Sequence, residues 1–342
     1  MATISPYKAL ALQVTCKAIN SLDKVEAKKQ MLETIANIGL QIKASKAFIG
    51  QDLQLVVLPE YFLTGFPMGE TIEEWKEKAC ISNGDEVYKA IQQIAIDNNI
   101  FLSGNVYEND IHFPNLYFQA CFIINPIGEE ILKYRRVNSM FAPTPHDVLD
   151  KYIEVYGEKS LFPVVKTSIG NLACIASEEI LYPEIARCLA FNGAEVFLHN
   201  TSEIASNLSS QKNIAKLARA IENMAYVVSA NSASIVGYSI PAASTDAHSQ
   251  IINYEGIKLC ETLCGESMVA NATIHIDALR HHRNRPGMSN FLSRQRLELF
   301  APFYTQSIYP ANSLINKDAN RNHFIEQQRK TITLLKNKGI VE

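Results

Sequence analysis

The sequence predicts an α/β protein built on mixed sheets. Short β-type apolar runs alternate with longer stretches at helical spacing from Tyr7 to Ile276. Hairpin turns at Pro126-Ile127-Gly128 and Tyr254-Glu255-Gly256-Ile257 interleave with longer crossovers, so antiparallel pairs join otherwise parallel strands. No linker, internal repeat or low-complexity segment divides the chain before Arg285.

Taken in order, Tyr7 to Val14 reads as a strand and Val25 to Ala47 as an amphipathic helix. Leu53 to Leu58 is an apolar run that breaks at Pro59. Asp85 to Asn98 is helical, Ile100 to Tyr107 and Leu116 to Asn125 are strands, and Ile131 to Tyr134 pairs back as a hairpin. Leu172 to Ala176 is a short strand, and Pro183 to Phe191 is a helix with proline in its first turn. Val196 to His199 (strand), Ile214 to Met224 (helix) and Ala225 to Ser229 (strand) follow. Ser249 to Tyr254 and Met268 to Ile276 complete the series as two strands joined through the Tyr254 turn. Residues 1–285 form one unit on this reading. Residues 286–342 differ in character, with Phe291 to Phe303 and then Leu314 to Lys338 helical. The tail is too weakly apolar for a core of its own and is expected to be an arm packed on the body or on a partner subunit.

With 342 residues, 47% hydrophobic and 20% charged, the composition is that of a globular protein with a sizeable core. A net charge of −3 and a pI near 6.3 supply no basic face, so neither nucleic acid nor an anionic membrane is expected as a partner. The dense basic run Arg280-His281-His282-Arg283-Asn284-Arg285 reads as a solvated loop. The seven cysteines are odd in number, irregularly spaced and mostly set in apolar runs, which fits reduced, buried thiols better than disulfides. Cys260 and Cys264 have no second pair at zinc spacing, so no metal or cofactor is expected. Met1-Ala2-Thr3-Ile4-Ser5-Pro6 lacks the pattern of a signal peptide, and no run approaches ~18 consecutive apolar residues; the cytoplasm is the expected location.

Three segments carry chemistry. In Leu55-Val56-Val57-Leu58-Pro59-Glu60-Tyr61, a buried strand delivers a carboxylate at its end, where ligands collect in open α/β sheets. Taken alone, Glu60 reads more simply as a loop cap, because Pro-Glu after an apolar run is common. The hairpin strand from Ile131 ends in a cation cluster, Lys133-Tyr134-Arg135-Arg136. That cluster is either a solvated edge or a cation turned inward toward a carboxylate or oxyanion. In Gly170 to Arg187 a strand, a sharp turn and a helix follow within a short span around Ser177-Glu178-Glu179, analogous to a nucleophile elbow though without its G-x-S-x-G pattern. Glu178 and Glu179 cannot both be buried unpaired at low cost, so at least one meets a cation or solvent.

In this order the segments resemble the nitrilase superfamily of carbon–nitrogen hydrolases. The likeness extends to Gln13, to Gly104-Asn105-Val106-Tyr107-Glu108, to Gly193-Ala194-Glu195 and to Arg219-Ala220-Ile221-Glu222-Asn223 leading into Val227-Val228-Ser229-Ala230-Asn231, roughly residues 6–280. The resemblance implies a four-layer α-β-β-α sandwich, pairing into a homodimer or larger homo-oligomer. It also implies a Glu–Lys–Cys triad acting on an amide or nitrile carbon of a small molecule, without a cofactor. The tail resembles the arm of the aliphatic amidase and formamidase branch.

Carried over by position, the triad is altered. Glu60 matches the general base. The lysine position falls on Arg136 and the cysteine position, six residues before Pro183, on Ser177. Lys133 and Cys174 each lie three residues earlier and on the wrong strand face. A further family glutamate has no counterpart where Thr144, His146 and Asp147 stand. Serine is less acidic than cysteine and needs a well-placed base, while Arg136 is expected to fork onto Glu60 through two hydrogen bonds. The leading expectation is an amidase-like enzyme with Ser177 as nucleophile, Glu60 as base and Arg136 as oxyanion donor. Tyr61, Glu178, Glu179, His199, Asn200 and His146 are expected around the substrate. The second reading is a catalytically impaired relative that binds a small carboxylate or amide.

Overall fold

A computed structural model describes residues 3–204 and 210–342. Two six-stranded sheets stack face to face. The first, in order β14-β1-β3-β4-β5-β6, comprises Asn271–Ile274, Tyr7–Ala11, Leu53–Val57, Phe101–Asn109, Tyr117–Ile124 and Glu130–Arg135. The second, β13-β12-β10-β9-β8-β7, comprises Lys258–Glu261, Gln250–Ile252, Tyr226–Ala230, Val196–Asn200, Gly170–Ala176 and Val165–Thr167. Each sheet has three adjacent parallel strands, β1-β3-β4 and β8-β9-β10, flanked by antiparallel ones. A small parallel pair, β2 (Thr15–Lys17) with β11 (Ser234–Val236), stands apart.

The inner faces share one core, in which Ala9, Leu55, Val57 and Ile123 meet Leu172, Cys174, Leu198 and Val228. On the outer face of the first sheet lie α1 (Lys24–Ile49) and α3 (Glu86–Asn98), seated through Met31, Ile35, Ile38, Val87 and Ile91. On that of the second lie α5 (Pro183–Phe191) and α6 (Gln211–Asn223). Four layers, α-β-β-α, follow because both sheets are apolar on both faces, and each outer face is covered by a helix stripe. α1 opens on a capping box, with Asp23 accepting from the Glu26 amide and Glu26 reaching back to the Asp23 amide.

Several elements depart from the sequence reading. The first strand stops at Ala11, because the chain leaves the sheet to bridge Gln13 to Ser267 and then forms β2. The Tyr254 turn leads into β13, which pairs with β12, whereas Asn271–Ile274 returns to the other sheet beside β1. The short helices α2 (Ile72–Ala79) and α4 (Leu149–Tyr156) lie in stretches the periodicity leaves unassigned. The basic run is no solvated loop. It forms most of α7 (Ile276–Asn284), where Arg280 grips Glu195 with two hydrogen bonds at 2.6 and 3.0 Å, and Arg283 donates to the carbonyls of Ala194, Asn223 and Met224. The Asn223 and Met224 carbonyls at the end of α6 attract the Arg283 guanidinium. All seven cysteines are free thiols; Cys16, Cys121 and Cys174 are buried, while Cys264 is exposed.

Beyond α7, helix α8 is Leu297–Tyr304 and α9 is Arg321–Asn337. Leu314 and Phe324 are buried against Phe113, Phe118 and Tyr152, so this part of the tail packs on the body. No helix among the described residues is long and apolar enough to cross a membrane.

Packing between β4 and β5 is tight at Gly104, where a Cβ would stand 2.6 Å from the Phe122 ring and 3.0 Å from that of Phe62. Both rings are buried and cannot swing away, so Gly104→Ala should destabilise the protein by about 1–3 kcal/mol and lower its melting temperature by several degrees in calorimetry. An unchanged transition would show that the two rings have room to move.

Candidate functional site

The strands that bury the inter-sheet core deliver polar residues where they end. β3 runs out through Leu58 and Pro59 to Glu60, which is wholly buried. Its amide donates to the carbonyl of Thr201, 3.2 Å away across the two sheets. Tyr61, next in line, has φ of +60°, a costly conformation for a side chain of this size. Glu60 Oε1 accepts from Gln119 Nε2 at 2.8 Å and from Arg136 Nη1 at 3.2 Å; its Oε2 is buried and accepts no hydrogen bond from the described residues. Burial, and after it the Glu60 carboxylate, push the Tyr61 phenol well above its ordinary range.

Arg136 follows β6. It does not fork onto Glu60 as expected. Nη1 is shared between Glu60 and Gln119 Oε1 (2.7 Å), Nε donates to the Asn138 carbonyl at 2.7 Å, and Nη2 bonds Glu178. With other acceptors competing for it, the guanidinium bridges two carboxylates. Burial works against its charge, but Glu178 and Glu60 outweigh burial and hold it above its ordinary value.

Ser177 begins the turn after β8 with φ of +49°, the left-handed conformation that aims an elbow residue away from the sheet. Two residues behind it hold that turn. Glu179 accepts the amides of Val137 (2.7 Å), Asn138 (3.0 Å) and Ala176 (3.2 Å) and the Tyr134 hydroxyl (2.7 Å). His199 Nε2 lies 2.8 Å from the Ser177 carbonyl and Nδ1 lies 2.8 Å from Ser229 Oγ. Burial, then Lys216, push the His199 pKa well down, so the ring is neutral. A carbonyl only accepts; hence Nε2 carries the proton and Nδ1 accepts from Ser229.

The Ser177 hydroxyl faces Lys212, from the first turn of α6. Lys212 Nζ lies 3.1 Å from Ser177 Oγ, 3.4 Å from Thr201 Oγ1 and 2.7 Å from Glu203 Oε2. Glu60, Arg136, Ser177, Glu178, Glu203 and Lys212 line one cavity of about 350 Å³, with Tyr61, Phe66, Leu181 and Ile204 as its less polar wall. A carboxylate, a hydroxyl and two cations around one space can move a proton and hold developing negative charge.

Of the residues expected here, Glu60, Tyr61, Arg136, Ser177 and Glu178 come together. Glu179, His199 and Asn200 do not line the cavity but stand behind it. Asn200 donates to the Leu58 carbonyl at 2.7 Å and accepts from Ser103, joining the two sheets. His146 lies elsewhere, half-buried with its ring 6.1 Å from that of Tyr309, because its loop turns toward the C-terminal arm. Lys133 pairs with Glu108 at 2.6 Å, and Cys174 sits in the inter-sheet core, as strand parity requires. Sequence reading missed Gln119 and Lys212. Gln119 left a trace as the polar residue in the apolar run Tyr117–Ile124, whereas Lys212 in its polar stretch left none.

The carbon-nitrogen hydrolase family model matches residues 18–283, and the chain belongs to that family. It is 28% identical over 209 residues to a nitrilase of Pyrococcus abyssi, covering 60% of this chain and 72% of the relative. A deaminated glutathione amidase of Synechocystis is 24% identical over 82% of this chain and 96% of its own, and a formamidase of Bacillus thuringiensis is 26% identical over 69% and 66%. Among solved structures, Saccharomyces cerevisiae Nit3, a member of branch 10 of the nitrilase superfamily, superposes with a TM-score of 0.63 at 20% identity over 85% of this chain and 99% of Nit3. The four-layer sandwich is therefore the nitrilase fold.

Complete burial pushes the Glu179 carboxyl up to about 7, against the pull of Arg136 and of its hydrogen bonds. Between its ordinary 4.5 and about 7 the folded protein keeps a proton that the unfolded chain releases. This contribution to stability is full below the lower value and is lost as pH rises through the upper one, by roughly 3 kcal/mol at most. Glu179→Gln should flatten that slope when melting is followed from pH 5 to 8. It should also cost about 1–3 kcal/mol, since an amide cannot accept from all four donors. An identical pH profile in the variant would refute the assignment.

Proposed function

We propose that the protein hydrolyses the C–N bond of a small amide, with Ser177 as nucleophile and Glu60 as general base. The observation that carries this reading is the placement of Ser177 at a strained left-handed position after a strand, on the cavity that Glu60 also lines. Glu60 takes the hydroxyl proton as Ser177 Oγ bonds to the carbonyl carbon. The C–N bond then breaks, the leaving nitrogen takes the proton from Glu60, and an acyl ester remains on Ser177. Water, losing a proton to Glu60, cleaves the ester to the acid and restores the hydroxyl. Arg136 holds the Glu60 carboxyl in place, and its bonds to Gln119, Asn138 and Glu178 leave it little capacity to serve as the expected oxyanion donor. The cavity size suits a short acyl chain, and the amidase and formamidase among the relatives support an amide substrate.

Pairing with a second copy belongs to the same proposal, with exposed Phe191 on α5 and Ile214 on α6 as apolar contacts. Sedimentation as a 38.2 kDa monomer at micromolar concentration would overturn that part.

The binding-only reading has one observation in its favour: Arg136 already engages Glu60 through Oε1 and also Glu178, which weakens the base that a weakly acidic serine needs. Ammonia release across a panel of short amides decides between the two. Turnover by the natural protein, reduced at least about 100-fold in Ser177→Ala, is the expected result. No turnover, with a ligand that raises the melting temperature and is recovered unchanged, would establish binding alone. In the double variant Ser177→Cys, Arg136→Lys, gained activity would mark a lapsed cysteine amidase, and lost activity would show that the serine–arginine pair has its own chemistry.

A further inference from the structure

Two cations line the cavity among the described residues, and they are engaged differently. Arg136 directs Nε, both Nη1 donors and one Nη2 donor to Asn138, Gln119, Glu60 and Glu178, which accounts for four of the five N–H groups a guanidinium has. None of those contacts reaches Ser177. Lys212 has three N–H donors and three acceptors in reach, and one of them is the Ser177 hydroxyl at 3.1 Å. The others, Thr201 Oγ1 and Glu203 Oε2, hold the ammonium in place. The lysine is buried, 9% exposed, so its charge acts on Ser177 with little screening by water.

We propose that Lys212 is a catalytic residue that supplies the positive charge at the Ser177 oxygen, the task of the family's lysine whose position Arg136 fills. The inference rests on the reading of Ser177 as nucleophile and adds the source of its activation. As Glu60 takes the hydroxyl proton, the negative charge forming on Oγ is held by the hydrogen bond from the Lys212 ammonium, which keeps its own three protons. The charge enters from helix α6 rather than from β6. The division of labour follows from shape: a planar guanidinium bridges two carboxylates, and a compact ammonium can serve a single oxygen.

A structural lysine that merely pins Glu203 to α6 would leave the acidity of a group at position 177 unchanged. The test therefore replaces Ser177 by cysteine and reads the thiol directly. Iodoacetamide alkylation at residue 177 in S177C is followed by tandem mass spectrometry as a function of pH, with fragment ions separating it from Cys174 on the same peptide and the other native cysteines on different peptides. With Lys212 present the midpoint should fall below the ~8.5 of an ordinary thiol. In S177C/K212M it should rise by at least about one unit, a tenfold loss of thiolate near neutral pH. S177C/K212R should restore most of the effect. Coincident midpoints with and without the lysine would overturn the proposal, and S177C/K212Q serves the same comparison if the methionine variant does not fold. The readout needs no turnover, so a natural protein that releases no ammonia, or a Ser177→Ala variant as active as the natural protein, would sink the hydrolase reading while the titration still decides whether Lys212 charges this position. In the otherwise natural protein, Lys212→Met should lower kcat at least about 100-fold with KM little changed. An unaltered kcat would likewise overturn it.

Discussion

Two sheets, each apolar on its inner face, are pressed together over a single core, and the rest of the molecule depends on that contact. Burial of this kind is non-directional, but pleating makes it specific: alternate residues of every strand must face inward. Once Val57, Ala176, Leu198 and Leu132 are committed to the core, the residues just past the strand ends emerge close together at one end of the stack. Glu60, Arg136 and Ser177 meet there although 117 residues separate the first from the last (177 − 60). Asn200 secures the junction, donating to Leu58 on the first sheet from a strand of the second.

That end of the stack gathers more charge than a dry interior tolerates unpaired, and the arrangement of partners reflects the cost of desolvation. Arg136 lies between Glu60 and Glu178, Lys212 between Glu203 and two hydroxyls, and Glu179 is enclosed by amide donors. His199 answers the same constraint differently, by staying neutral and fixing its tautomer through the Ser177 carbonyl. Both left-handed side-chain-bearing residues of the cavity, Tyr61 and Ser177, sit beside this network. Such conformations persist only where surrounding bonds over-determine them. For Ser177 those bonds come from His199 and Glu179.

Much of this is legible in residue order. Strand–helix alternation and hairpin turns are enough for the class and for most element positions, because burial on a strand or a helix leaves a period in the sequence. Where burial is partial the period fades. The three-residue strands β2, β7 and β11 and the helix α4 escape a sequence reading for that reason, and the basic run reads as a loop because its guanidiniums bond Glu195 and backbone carbonyls far away in sequence. Motif order and spacing locate Glu60, Arg136 and Ser177 and the parity that rules out Lys133 and Cys174.

Which groups touch is another matter. Glu178 and Glu179 are adjacent and chemically identical, yet one opens on the cavity and the other braces the turn behind it; a 3-10 turn, not a composition, separates them. His146, His199 and Asn200 read as plausible pocket residues and lie outside it, whereas Gln119 and Lys212 carry no motif and are in contact with its charged groups. The sequence by itself determined the family and the sandwich and pointed to Glu60, Arg136 and Ser177, since these depend on periodicity and local order. Only the tertiary structure decided that Arg136 bridges two carboxylates while Lys212 faces Ser177, because hydrogen-bond partners are selected by distances of a few tenths of an ångström between elements far apart in the chain.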